Sequence, residues 1–122
     1  MLDAPDLAGN YDETSASAMF AYALLRAERL DLTSPEEASK IRASGQKAAD
    51  ALVDTRLVEE NGEASLVGIC QVAGLGPFNG RYRDGSPAYY LVEEVVADDA
   101  KGVGPFMMAY AEATLAIRAK AA

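Results

Sequence analysis

Between Ala16 and Ala27 the chain places five alanines on a segment whose larger apolar residues recur at helical spacing. This combination constrains the fold more than any other feature, because small side chains let a second helix approach closely and the periodic apolar residues require one. Met19, Phe20, Ala23, Leu24, Ala27 and Leu30 follow the i, i+3, i+4 pattern. They predict a first helix from residues 12–14 to 30, with that set as its buried face. Arg26, Glu28 and Arg29 gather at its far end, where cations suit the C-terminal dipole. A second helix is announced by Ser34-Pro35-Glu36-Glu37, which offers an N-cap serine, proline at the first helical position and glutamate three residues after the cap. The stripe Ala38, Ile41, Gly45, Ala48 and Leu52 carries it to about Glu59, with Asn61-Gly62 closing it. The short connection from Asp31 to Ser34 favours an antiparallel helical hairpin.

The rest of the chain changes character. Ser65 to Val72 reads as a short strand, limited by Gly68, Gly74, Gly76, Pro77 and Gly80. From Arg81 to Lys101 mostly irregular structure is expected, with a short helix around Pro87 to Glu93. A final helix is expected from about Val103 to Lys120, burying Phe106, Met107, Tyr110, Ala113, Thr114 and Ile117. Three long helices, one long irregular loop and a possible short strand pair predict an all-α architecture.

The chain holds 19 acidic and 11 basic residues in 122, a formal charge of -8, and its basic residues form no stripe. That argues against nucleic acid and against anionic membranes as partners. The absence of histidine removes Ser-His and Cys-His nucleophiles and most zinc sites. Cys70, the sole cysteine, lies in the apolar run Leu66-Val67-Gly68-Ile69-Cys70 and reads as a buried core thiol. The pairs Glu93-Glu94 and Asp98-Asp99 lack the alternating spacing of a calcium loop, so no metal is expected. The start of the chain has neither the basic nor the apolar region of a signal peptide, and no apolar run approaches the roughly 20 residues of a membrane span. A cytoplasmic location is the default expectation.

Several ordered motifs resemble one family. Glu13-Thr14-Ser15-Ala16-Ser17-Ala18-Met19-Phe20-Ala21-Tyr22-Ala23-Leu24 resembles the start of a late inner helix in glycoside hydrolase family 105. Gln71-Val72-Ala73-Gly74-Leu75-Gly76, Tyr82-Arg83-Asp84-Gly85-Ser86 with Tyr89-Tyr90, and Lys101-Gly102-Val103-Gly104-Pro105-Phe106 follow in that family's order and spacing. The resemblance runs from Leu2 to about Glu112. It extends to the related family 88, which acts on unsaturated glucuronyl sugars. It implies that residues 1–122 are a single partial domain, the C-terminal fragment of an (α/α)6 barrel. The implied chemistry removes unsaturated uronic acid from pectin or related oligosaccharides, without metal or organic cofactor. An aspartic acid protonates the C4=C5 double bond, water adds at C5, and the hemiketal collapses to expel the remaining sugar. In the family's order those aspartates lie upstream of every motif present here, so no catalytic residue is carried over and the isolated chain is expected to be inactive.

The resemblance also implies substrate-binding roles, each of which has a plainer alternative. Arg83 has the planar fork that suits a uronate carboxylate, or it pairs with Asp84 or Glu93 to hold the loop. Tyr82 and Tyr89 would stack on a sugar or donate to its hydroxyls, and tyrosine also fills wet boundaries routinely. Asp84 before Gly85 suits a turn, Glu13 a helix cap at the cleft mouth, and Lys101 a cation for an anionic sugar or a solvated lysine. The expected partners are an unsaturated uronate-containing oligosaccharide and the remainder of the barrel, or self-association through an apolar surface. The rival reading is a non-catalytic helical module that assembles through an exposed apolar face.

Overall fold

The computed structural model describes the backbone of residues 1–121 and the side chains through Leu115. About half the chain is helical: α1 (Thr14–Arg29), α2 (Pro35–Arg56), the single-turn α3 (Pro87–Tyr90) and α4 (Ala100–Ala121). Three separate antiparallel ribbons join them, pairing β1 (Leu57–Glu60) with β2 (Glu63–Leu66), β4 (Gly76–Phe78) with β5 (Arg81–Arg83), and β3 (Ile69–Cys70) with β6 (Val95–Val96). The all-α expectation, which allowed one short strand pair, is corrected to three such pairs, two of which reach into the long loop through β5 and β6. The expected strand from Ser65 to Val72 is divided between β2 and β3, which pair with different partners. Among the described residues no helix is long and apolar enough to cross a membrane.

The second helix begins where its signal stands, at Pro35, although the Ser34 hydroxyl donates to the Glu37 carboxylate at 2.6 Å instead of capping a backbone N–H. It ends at Arg56, earlier than expected. Asn61 and Gly62 have φ of 54° and 81°, the left-handed pair of a two-residue hairpin whose twist matches its strands. The residues read as a helix stop are therefore the tip of the β1–β2 hairpin, with Glu60 opposite Glu63 and Leu57 opposite Leu66. The last helix starts at Ala100 rather than Val103, because the Asp99 side chain accepts from Lys101 N at 2.9 Å and its carbonyl accepts from Val103 N.

Ala18, Ala21 and Leu25 of α1, Ala49 and Leu52 of α2, and Ala109 and Ala113 of α4 form the helical core. The antiparallel hairpin is present: Arg42 meets Glu28 at one end of the pair, while Gly68 sits between Thr14 and Arg56 at the other. α1 and α4 run in the same direction. Their N-terminal ends both border β3, through Glu13 on Cys70 and Gly102 on Ile69, and further along Arg26 and Arg29 reach Glu112.

The expected buried faces are the main correction. Met19, Phe20, Ala23 and Leu30 on α1 are exposed, as are Met107 and Tyr110 on α4. Ile117 lies outside the residues whose side chains are described. The helices turn their smallest residues inward because alanine and glycine permit the closest approach, and the bulky stripe is left facing out. Glu112, which no local pattern singles out, is buried between α1 and α4. It accepts from Arg29 Nε at 2.5 Å and from Arg26 Nη1 at 2.8 Å. The Arg29 hydrogen bond outweighs burial, and with Arg26 it holds the Glu112 carboxyl down at about 2.

Two outcomes follow. A Cβ at Gly45 would lie 2.8 Å from Leu25 Cγ and 3.1 Å from Leu24 Cβ. Gly45→Ala should therefore destabilise by about 1–2 kcal/mol in denaturant titration, overlap outweighing the gain of about 1 kcal/mol in helix propensity. The Glu112 stabilisation is complete above its ordinary value of 4.5 and is lost as pH falls toward about 2. The Arg26 and Arg29 side chains are 43% and 36% exposed, so solvent screening leaves about 1–2 kcal/mol, and Glu112→Gln should remove that pH-dependent component from acid-unfolding curves.

Candidate functional site

The N-terminal ends of α1 and α4 meet the β3–β6 ribbon, and Glu13 is the joint. Its carboxylate accepts from Ser15 N at 3.1 Å, Ala16 N at 2.6 Å and Cys70 N at 3.0 Å, and takes the Ser15 hydroxyl as well. Burial raises its pKa, but the backbone N–H bonds from Ala16 and Cys70 and the Ser15 hydroxyl more than offset that, holding it below the usual carboxylate range. Thr14 locks the same corner by donating its N–H to the Gly68 carbonyl at 2.9 Å and its hydroxyl to Val67 at 2.7 Å. Gly68 has φ +82° and no space for a side chain, since a Cβ would come within 2.7 Å of Thr14 Oγ1.

Beside this corner opens a groove of about 500 Å³, walled by Tyr11, Asp12, Glu13, Ser17, Phe20 and Tyr90. Tyr11 and Tyr90 stack with ring centroids 5.7 Å apart and planes 5° from parallel. Burial, with Tyr90 and Cys70 close by, pushes the Tyr11 phenol well up. Its Oη is nonetheless a buried atom with no well-formed hydrogen bond among the described residues. Cys70 is a buried free thiol.

A second hollow of about 140 Å³ lies on the other side of α3, lined by Phe78, Arg81, Arg83, Tyr89 and Glu93 among others. The consecutive tyrosines of α3 divide the two spaces, Tyr90 on the groove and Tyr89 on the hollow. Arg83 donates to the Gly76 and Leu75 carbonyls at 3.2 and 2.9 Å, and its guanidinium lies 4.7 Å from the Phe78 ring centre. Tyr89 donates to Glu93, with the Val72 carbonyl at 3.2 Å as an alternative acceptor, and accepts from Gly74 N at 3.4 Å. Burial and the Glu93 bond raise its pKa. Asp84 accepts from Ser86 N at 2.8 Å, and the Ser86 hydroxyl and N–H hold its pKa down in an exposed turn. Tyr82 is 75% exposed on β5, opposite Pro77. Lys101 donates to the Gln71 carbonyl at 2.8 Å and pairs with Asp99 at 3.5 Å.

The six expected residues thus do not converge on one space. Glu13 lines the groove, Arg83 and Tyr89 line the hollow, Tyr82 and Asp84 lie on the outer ribbon and its turn, and Lys101 bridges back to Gln71. The Tyr11–Tyr90 stack is what sequence reasoning missed. Tyr90 stood within a quoted motif, but nothing local connects it to Tyr11. Among the described residues no His, Cys, Asp and Glu group is placed to hold a metal ion.

Because Glu13 caps α1 and also anchors β3, Glu13→Ala should destabilise by about 2 kcal/mol, whereas Glu13→Gln, which retains an acceptor oxygen, should cost about half as much in thermal unfolding.

Residues 1–116 match the family model described as Glycosyl Hydrolase Family 88. "Protein Atu3128" of Agrobacterium fabrum and the "24.9 kDa protein in picA locus" of Rhizobium radiobacter are each 63% identical over 119 residues, 97% of this chain and 51% of their own length. The chain spans about half the length of the curated relatives it matches. A solved C. acetobutylicum glycoside hydrolase from family 105 is similar with a TM-score of 0.83 and 37% identity, over 94% of this chain and 31% of that one. By sequence, then, the chain belongs to glycosyl hydrolase family 88, and its fold is similar to that of a glycoside hydrolase from family 105.

Proposed function

We propose that this chain is the C-terminal part of an (α/α)6 glycosidase barrel and supplies one wall of a cleft for an unsaturated uronate-containing oligosaccharide of the pectin type. The observation that carries this reading is the groove at the start of α1, where stacked Tyr11 and Tyr90, the buried Tyr11 phenol and the Glu13 carboxylate border one space. Aromatic faces take the C–H face of a sugar ring, and buried phenols and carboxylates orient hydroxyls.

Charge orients the substrate further. A uronate carboxylate is repelled by Glu13, which stays ionised, and is drawn toward the guanidinium of Arg83 and the ammonium of Lys101. Tyr82 is left exposed to meet the sugar beyond the uronate, while Asp84 and Tyr89 hold the loop that presents Arg83. None of these residues serves as the proton donor. General acid catalysis at the double bond needs a carboxyl lifted toward the working pH, and both Glu13 and Asp84 are shifted the other way. The resemblance puts that acid on helices upstream of the residues present here.

The test is loss of the unsaturated-uronate absorbance of a disaccharide of unsaturated galacturonate on rhamnose. This chain alone should leave the absorbance unchanged, and turnover by it would overturn the assignment of the donor elsewhere. In the assembled enzyme Tyr90→Ala should raise KM about five- to tenfold with a smaller change in kcat, as loss of a stacking contact predicts. The second reading, a non-catalytic interaction module, draws on the exposed apolar residues of α1 and α4.

A further inference from the structure

Asparagine followed by glycine occurs at Asn61-Gly62 and Asn79-Gly80, and the fold sets both pairs at the exposed tip of a two-residue hairpin. Their φ angles are 54° and 81° in the first and 45° and 73° in the second, so the two turns share one left-handed backbone. A Cβ built on Gly62 or Gly80 would meet nothing within 4 Å, so no neighbouring group crowds that side of either junction. The surroundings differ in charge. Asn61 stands between Glu60 and Glu63, which face each other across the ladder, with Glu59 next in line. Asn79 stands between Phe78 and Arg81, and it lines the hollow together with Arg81 and Arg83. Glu93 and Glu94 also line that hollow, Glu93 already bonded to the Tyr89 hydroxyl, but the charge adjoining Asn79 in the turn itself is cationic.

We infer that Asn79-Gly80 is a site of spontaneous covalent modification, at which Asn79 converts to isoaspartate and aspartate ahead of the other asparagines of the chain. The Gly80 nitrogen, deprotonated by solvent base, attacks Asn79 Cγ. The new C–N bond closes a succinimide ring, and the side-chain nitrogen leaves as ammonia. Water then opens the ring at either carbonyl, giving aspartate when the new bond breaks and isoaspartate when the original peptide bond breaks. Negative charge builds on the Gly80 nitrogen and then on the amide oxygen, so the Arg81 guanidinium lowers the barrier and the glutamates around Asn61 raise it. Attack requires the turn to leave its left-handed shape, and glycine passes through those backbone angles with little strain. The β4–β5 ribbon also opens more readily, with three paired positions against four in β1–β2, and Arg83 braces it only at its base, on Leu75 and Gly76. The other candidates are held back. Asn10 precedes the bulky Tyr11, and its amide donates to the Met1 and Ala4 carbonyls at 2.9 Å. Asp84 precedes Gly85, but its carboxylate stays ionised and accepts from Ser86 N, and an ionised carboxylate is a poor electrophile. Conversion of Asn79 places a carboxylate beside Arg81 and Arg83, where it competes for the cation that the proposed cleft offers a uronate. That consequence rests on the cleft reading, whereas the modification itself does not.

The experiment holds the purified chain at mildly alkaline pH in low salt and follows each asparagine by mass spectrometry with electron-transfer fragmentation, which separates isoaspartate from aspartate. Asn79 should convert about threefold faster than Asn61 or more, with isoaspartate the larger product, and added salt should bring the two rates together. Arg81→Gln should slow position 79 about twofold, and the pair Glu60→Gln, Glu63→Gln should speed position 61 to a similar degree, with circular dichroism unchanged in both. A rate at Asn61 equal to or above that at Asn79 in low salt, or a ratio indifferent to both salt and Arg81→Gln, would overturn the inference. In the assembled enzyme Asn79→Asp should raise KM for the unsaturated disaccharide about threefold with kcat little changed. Conversion of Asn79 at the expected rate with KM indifferent to Asn79→Asp would uphold the modification site and remove Arg83 from the cleft reading instead.

Discussion

Very little side-chain volume separates the long helices of this chain, and most of the structure depends on that. Where α1 meets α2, Gly45 leaves no space for a methyl group against Leu24 and Leu25. Alanines fill most of the remaining seam, at positions 18, 21, 49, 109 and 113. Close approach of this kind gains dispersion contacts but removes little apolar area per residue from water, so the hydrophobic contribution is modest at about 25 cal/mol per Å². Polar contacts then have more to do. Glu112 fixes α4 against α1 through two arginines from one helix face, and Glu13 ties the start of α1 to β3. An ionised carboxylate buried at a helix seam tolerates no sliding, because a shift of one turn would leave it unpaired.

The same seam explains what could be read in the sequence and what could not. The start of α2 was legible because its signals are local: proline at the first helical position fixes a backbone angle wherever the helix packs. The stripe of α2 was also legible, since Gly45 and Leu52 are buried as expected. For α1 the period was right and the face was wrong. Periodicity reports which residues share a side of a helix, and bulk suggests which side is covered, but here the covered side belongs to Ala18 and Ala21. Asn61-Gly62 ends a helix or turns a hairpin equally well in isolation. Only the pairing of Leu57 with Leu66 across it decides between them. The Glu112 cluster had no local signature at all, because its partners lie on the first helix of the chain.

The candidate site was legible in its location more than in its parts. The tyrosine- and arginine-rich loop does border two concavities, yet Arg83, Asp84, Tyr89 and Lys101 each spend hydrogen bonds on backbone of the loop or its neighbours. A loop of short ribbons has too few ladder bonds to hold its own shape, so side chains take over that work. Shaping and binding are not exclusive for Arg83, whose guanidinium holds two carbonyls while still edging the hollow. For Tyr89 the balance tips toward shaping, since its phenol already joins Glu93 to Gly74.

Geometry couples the groove to the exposed apolar residues of α1 through one side chain. Phe20 is half exposed, lies on the outward side of α1 and walls the groove next to Glu13 and Ser17. Anything laid across the outward side of α1 would therefore bury Phe20 and cover part of the groove in one event. Water excluded from that space would strengthen every interaction inside it, including those of the Glu13 carboxylate and the buried phenol of Tyr11. In the uncovered chain those groups stand beside an open groove, where solvent screens them. Assembly and binding competence are then linked by a shared side chain. A substitution at Phe20 should disturb both together, whereas one at Tyr90, which walls the groove from α3, should disturb binding alone.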